Sequence, residues 1–185
     1  MKINLNKTRK LRLYVTASLD AGKQLTLNSE QKHYLIKVMR CKSGDQFLVF
    51  NGCDGEWLAE LTEENNQYFA TVKQTVRPQT NDPSLTLVFS PLKNQNTNLI
   101  IQKATELGVS YLVPVQTERS IVPSFNLDKA RKIAIEAAEQ CERLTVPEIS
   151  SMKKLSRWLE ECANYNTVLV ADETRISSTI QTVLI

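Results

Sequence analysis

The sequence holds one histidine, His33, and no closely spaced pair among its four cysteines. Cys41, Cys53, Cys141 and Cys162 lie 12, 88 and 21 residues apart, so neither a zinc knuckle nor a C-x-x-C redox motif can be drawn from them. Four reduced structural thiols are expected, with no metal, as suits a reducing compartment. No apolar run approaches the roughly 20 residues of a membrane helix. The start, MKINLNKTRKLRLYV, is basic but has no apolar stretch of signal-peptide length, so a cytoplasmic location is expected. There is no G-x-G-x-x-G, Walker loop, G-x-S-x-G or H-E-x-x-H. A lone histidine on a helix of the first part also leaves a Ser-His-Asp triad without its base, unless the domains meet around it.

What is present is an ordinary globular composition. The 185 residues are 42% hydrophobic and 23% charged, enough for one domain or two small ones and too apolar for a disordered tail. The net charge of +3 is unevenly spread. Residues 1–80 carry 12 Lys and Arg against 8 Asp and Glu, and the remainder carries 11 against 12. Lys2, Lys7, Arg9, Lys10 and Arg12 fall within the first twelve positions with no acid among them. Such a cluster either neutralises phosphates, gaining affinity by counterion release, or is a solvated terminal run; charge alone leaves both open.

The first part predicts a small β-barrel with one helix. Residues 12–15, 46–50, 56–61 and 67–76 are rich in β-branched and aromatic residues and partly alternate. Asn51-Gly52 and Asp54-Gly55 between two of these runs signal an antiparallel turn. Ser29 is placed as the cap of a helix whose apolar face carries Tyr34, Leu35, Val38 and Met39. Residues 77–83, RPQTNDP, hold two prolines and no apolar side chain, which sets a domain boundary. The division is 1–77 barrel, 78–83 linker and 84–185 second domain.

The second domain alternates strands and helices. Strands are expected at 85–90, 111–115 and 167–171, with a helix at 98–107 stopped by Gly108. A long helix after Asn126 carries Ala130, Ile133, Ala134, Ala137, Ala138 and Cys141 at helical spacing, and a third helix carries Leu155, Trp158, Leu159 and Cys162. That order predicts a parallel sheet covered on both faces. Residues 180–185, IQTVLI, add one more buried-type strand.

Polar residues on these apolar elements are the candidate site. Lys103 and Glu106 share a helix face. Glu118-Arg119-Ser120 follows the second strand and Asp172-Glu173-Thr174 the strand at 167–171, both at a sheet carboxyl edge, where α/β proteins place functional loops. Glu136, Glu139, Gln140 and Arg143 form a stripe opposite the alanine face of the long helix, which as readily describes a solvated face with local ion pairs. In the first part, His33, Lys37 and Arg40 occupy one helical flank that suits an RNA backbone, although His33 taken alone reads equally as a capping or barrel residue.

These segments resemble a known family. Residues 12–15 (RLYV), 33–40 (HYLIKVMR), 101–109 (IQKATELGV), 118–120 (ERS), 136–143 (EAAEQCER) and 146–149 (VPEI) are similar to those of the 16S ribosomal RNA uridine N3-methyltransferases, called RsmE. The likeness runs from about Arg12 to Asp172, and the E-x-x-E-Q-x-x-R block followed by V-P-E-I is its most specific part. It implies a PUA-like RNA-binding β-barrel (an α+β N-terminal domain) followed by an α/β SPOUT domain with a trefoil knot. It also implies a homodimer, S-adenosylmethionine as methyl donor, and N3 of a uridine in the 16S rRNA of the small ribosomal subunit as acceptor.

By that resemblance Arg119, Glu139, Gln140 and Arg143 are the catalytic candidates. Ala171, Asp172, Glu173, Leu184 and Ile185 are the cofactor contacts, and Lys7, Arg9, Lys10, Arg12, His33, Lys37 and Arg40 hold RNA. The family continues after a strand like residues 182–185 into a G-P-E-G-G segment that completes the knot, and this sequence stops one residue before it. The expectation is an incomplete record of a longer enzyme; the alternative is a truncated, non-catalytic RNA- or ribosome-binding remnant.

Overall fold

The computed structural model describes residues 11–80 and 83–171. Five strands form the first sheet: β1 (Arg12–Tyr14), β2 (Gln24–Thr26), β3 (Gln46–Phe50), β4 (Glu56–Glu64) and β5 (Gln67–Arg77). Their order is β1-β3-β4-β5-β2, antiparallel except for β1 against β3. The turn between β3 and β4 is built by Asn51, whose Oδ1 accepts from the amides of Cys53 and Asp54. Gly55 closes it at φ +80°, where a Cβ would collide with the Arg77 carbonyl on β5. Leu13, Leu25, Leu35, Phe47, Val49, Leu61 and Val72 fill the barrel.

A short helix, α1 (Ser29–Lys32), closes one end of the barrel. Its cap is Asn28, one residue before the expected Ser29: Asn28 accepts from the Gln31 amide, and the Gln31 side chain accepts from the Asn28 amide, a capping box. The helix then widens into a π-turn over His33–Val38, with the Met39 amide donating to the Tyr34 carbonyl. Tyr34 and Leu35 pack on the core as expected, but Val38 and Met39 stand exposed. The wide turn rotates them off the face that a 3.6-residue period assigns.

The second sheet is parallel throughout. Its strands are β6 (Thr86–Phe89), β7 (Tyr111–Gln116), β8 (Glu148–Ile149) and β9 (Lys153–Lys154), with β7 pairing all three others. On one face lie α2 (Asn94–Glu106) and α3 (Leu127–Gln140), packed through Ile101, Ala104, Ala130 and Ala134 against Leu112. On the other, Trp158 of α4 (Leu155–Glu161) meets Val113 and Val115. Alternate residues of β7 therefore feed two cores, as a buried parallel strand requires. No helix among the described residues is long and apolar enough to cross a membrane.

Helix ends follow local chemistry. Asn126 Oδ1 accepts from the Lys129 amide at the start of α3. Gly108, at φ +89°, ends α2 in a Schellman arrangement, with Val109 N–H on the Ala104 carbonyl and Gly108 N–H on that of Thr105. Three expectations fail. Cys141 is an exposed C-cap rather than part of the buried face of α3. Leu159 points outward. Residues 167–171 form no strand, and Val170 is 79% exposed, because no described segment offers them a ladder. The strand expected at 180–185 lies outside the described residues.

Candidate functional site

Arg12 sits where barrel and second domain meet, and the structure corrects its assignment to RNA. It is only 5% exposed. Its Nε donates to Glu56 Oε1 at 2.6 Å, and its terminal nitrogens donate to the carbonyls of Ala138 (2.7 Å), Glu139 (3.1 Å) and Arg143 (3.0 Å). The guanidinium also lies 4.3 Å from the Phe50 ring centroid. Arg77 binds the same Glu56 and reaches the Glu142 carbonyl. Two barrel arginines thus cap the C-terminal end of α3, where the helix dipole and orphan carbonyls favour cations. All three nitrogens of the Arg12 guanidinium are engaged within the chain and the group is buried, away from a phosphate in solvent.

Arg143 continues the same wiring. Its Nη1 donates to the carbonyls of Thr105 (2.9 Å) and Val109 (2.7 Å), gripping the C-terminal turn of α2, while its Nε donates to Thr145. A guanidinium committed to carbonyls of its own chain positions helices; it does not present itself to a reacting base. Sequence reasoning missed Glu56 and Arg77 altogether. The one available signal was an acid at the first position of the strand-forming run 56–61, directly after the Asp54-Gly55 turn.

The carboxyl edge of the second sheet is built differently. After β7, Thr117 and Ser120 make a tight turn: the Thr117 amide donates to Ser120 Oγ at 2.8 Å and the Ser120 amide to the Thr117 carbonyl at 3.1 Å. Ser120 Oγ also meets Ser90 Oγ, at the end of β6, at 2.9 Å. The turn holds Glu118 and Arg119 outward, both exposed. Arg119 lies between a cleft of about 900 Å³, shared with Thr117, Lys154, Leu155 and Leu159, and one of about 250 Å³ beside Leu92, Lys93 and Ile121. Ala171 is exposed; Asp172, Glu173, Leu184 and Ile185 lie outside the described residues.

Glu139 and Gln140 line another cleft, of about 670 Å³, between β1, α1 and α3. Glu139 Oε1 accepts the Tyr14 amide at 2.8 Å. Burial pushes its carboxyl above the usual range, partly offset by that hydrogen bond and by Arg12. Burial likewise raises the Tyr34 phenol on the facing wall. The four catalytic candidates therefore do not share one cleft within a single chain: Arg119 is at the sheet edge, Glu139 and Gln140 beside the barrel, and Arg143 under α2. His33 and Lys37 are exposed on the π-turn that follows α1, and Arg40 is exposed just beyond it. Lys7, Arg9 and Lys10 lie outside the described residues.

The chain is thus a small five-stranded barrel hydrogen-bonded to a parallel α/β domain with a cleft at its carboxyl edge. Residues 79–184 match the model of the RNA methyltransferase domain, and residues 27–73 that of the RNA methyltransferase PUA domain. The chain belongs to this RNA methyltransferase family. It is 34% identical over 165 residues to the ribosomal RNA small subunit methyltransferase E of Rickettsia conorii, covering 88% of this chain and 66% of that one.

A methyltransferase of Legionella pneumophila solved with its cofactor SAM superposes with a TM-score of 0.80 at 26% identity, covering 93% of this chain and 74% of that one. The ribosomal RNA small subunit methyltransferase E of Neisseria gonorrhoeae, solved with S-adenosyl methionine, gives 0.73 at 27% identity, covering 82% and 65%. The fold is thus a PUA-like barrel followed by a SPOUT-type methyltransferase domain. The chain spans just under two thirds of the Rickettsia protein and 52% of its Synechocystis counterpart.

Proposed function

We propose that this chain forms part of a cytoplasmic, homodimeric enzyme that methylates N3 of a uridine in 16S rRNA of the small ribosomal subunit, with S-adenosylmethionine as donor. The observation carrying this reading is the Arg12 junction: an RNA-type barrel is wired by hydrogen bonds to the helix that flanks the catalytic sheet. RNA held on His33, Lys37 and Arg40, with Lys7, Arg9 and Lys10 extending the basic track, would then be presented at a fixed orientation. In this reading residues 1–77 bind RNA, 78–83 link, and the remainder carries the chemistry.

The carboxyl-edge cleft suits the donor in size and character. Arg119 offers a cation for its carboxylate, and Leu155 and Leu159 offer apolar surface for its adenine. Ala171, Asp172, Glu173, Leu184 and Ile185 would complete that wall. When bound, S-adenosylmethionine would supply an electrophilic methyl carbon on a sulfonium, whose sulfur would leave as the neutral thioether of S-adenosylhomocysteine. Uridine N3 carries a proton with a pKa somewhat above neutral, so the protein must align the nucleophile and ease that proton away. Glu139 and Gln140 would shape the separate cleft beside the barrel, on the RNA side, and Arg143 would hold the helices that flank the sheet.

The test is incubation of the protein with unmodified 16S rRNA, or with small subunits, and isotopically labelled S-adenosylmethionine, followed by nucleoside mass spectrometry. Label in N3-methyluridine is expected. Saturable RNA binding with no donor binding would replace this reading with that of a non-catalytic RNA-binding protein.

A further inference from the structure

The cleft between barrel and α3 lies at the barrel's seam, where the two edge strands β1 and β2 face each other without pairing. Its chemistry differs from that of a phosphate groove. Glu30, Glu136 and Glu139 line it against a single cation, Lys132, which is tied to Glu30 at 2.6 Å. Nor is it an open strand edge. The Tyr14 amide is taken by Glu139, and the Tyr14 carbonyl accepts from Gln31 Nε2 at 2.9 Å, so an added peptide strand finds no ladder. What remains available is the ring surface of Tyr14 and Tyr34 and the exposed carboxylate of Glu136, which makes no hydrogen bond or ion pair among the described residues.

Beside this acidic, aromatic cleft runs the opposite kind of surface. His33 and Lys37 follow one another along the turn that also carries Tyr34, with Arg40 just beyond, and all three are exposed. Cations next to carboxylates and rings match the two halves of a nucleotide: phosphate on the cations, base against the rings. A carboxylate takes two N–H donors at once, and guanine alone offers two side by side, N1–H and N2–H, on its pairing edge. Uracil offers a single donor, N3–H, set between two carbonyl oxygens that the same carboxylates repel, so it makes one contact where guanine makes two.

The geometry points to this cleft as a guanine-reading subsite, in which Glu136 receives the pairing edge of an unstacked guanine of the substrate RNA and Tyr14 and Tyr34 supply its apolar walls. The proposal rests on the RNA-binding half of the function above. It separates the base that is read from the base that is methylated.

The test uses the full chain and three single-stranded RNA nonamers, U4GU4, U4AU4 and U9, with affinity followed by fluorescence anisotropy at two salt concentrations. U4GU4 should bind on the order of tenfold more tightly than U9, the size of one good bidentate contact, with U4AU4 between them. Glu136→Gln, on an exposed helix position, should reduce that ratio to near one and leave the salt dependence unchanged. Equal affinities in the unmodified chain, or a ratio untouched by Glu136→Gln, would overturn the subsite. So would displacement of U4GU4 by hexalysine that is lost in Glu136→Gln without any guanine preference, since the cleft would then read a basic peptide. A guanine preference without methyl transfer to rRNA would sink only the enzymatic reading; no RNA binding at all would sink both.

Discussion

The junction between the domains gathers three arginines and the carboxyl edge of the second sheet presents Arg119, and the two regions use the residue in opposite ways. At the junction Arg12 and Arg77 share the buried carboxylate of Glu56, and with Arg143 they close helix carbonyls on α3 and α2. At the edge, Arg119 is held out by a turn of hydroxyls and makes no ion pair among the described residues. A charge satisfied inside the protein fixes geometry, whereas one left in solvent beside a cleft is available to a ligand. The same residue type thus divides into framework and function according to what its neighbours already supply.

The sharpest way to break this contrast is to truncate one arginine of each kind. Arg12→Ala should cost about 3–5 kcal/mol of unfolding free energy, since it strands the buried Glu56 carboxylate and the carbonyls at the end of α3. Arg119→Ala should stay within about 0.5 kcal/mol while weakening cofactor binding. Urea midpoints measure both, and comparable shifts would remove the distinction. Gly55→Ala comes next. Its left-handed backbone alone costs a side chain roughly 1–3 kcal/mol, and the added Cβ meets the Arg77 carbonyl, so the arginine that grips Glu142 must move. Wild-type stability for Gly55→Ala would show that the junction tolerates displacement. Asn126→Ala, which frees the first turn of α3 far from the junction, should cost about 1 kcal/mol. A larger loss than in Gly55→Ala would place the weak point of α3 at its start rather than its gripped end.

The legible parts of the molecule were those governed by neighbours in sequence. Asn51 through Gly55 announced the β3–β4 hairpin, Asn126 the start of α3, and the alanine spacing its buried face, because turns, caps and helical faces are set within a few residues. Val38 and Met39 were misplaced because a π-turn breaks the period on which such readings rest. Arg12 was misread for a different reason. Its partners lie 44 and more than 120 residues away, so a cluster of cations in the sequence looks the same whether it faces phosphate or a helix end. Residues 167–171 show the same limit for strands, since β-branched composition does not supply the neighbouring strand that makes a ladder. Arg119 was legible as a candidate because its position after β7 follows from topology, while Ser90, which braces its turn, carried no signal at all.

Glu139 lies between the two regimes, and it gives the smallest expected effect and the finest test. It touches the junction through the Tyr14 amide and the Arg12 neighbourhood, yet it also lines an open cleft. Burial raises its carboxyl above the ordinary 4.5, more than the Tyr14 hydrogen bond and Arg12 lower it. The folded protein therefore holds that proton more tightly than the unfolded chain does. The resulting stabilisation is complete below the unfolded value and is lost as pH rises through the folded one. Glu139→Gln keeps an oxygen for the Tyr14 amide and removes the titration. The variant should thus match the unmodified chain at pH 4 and gain on it as pH rises toward 7. Urea midpoints at the two pH values read the difference directly. A variant that instead loses ground at pH 7 would mean that the Glu139 charge is itself held by Arg12, which would move Glu139 from the cleft into the framework.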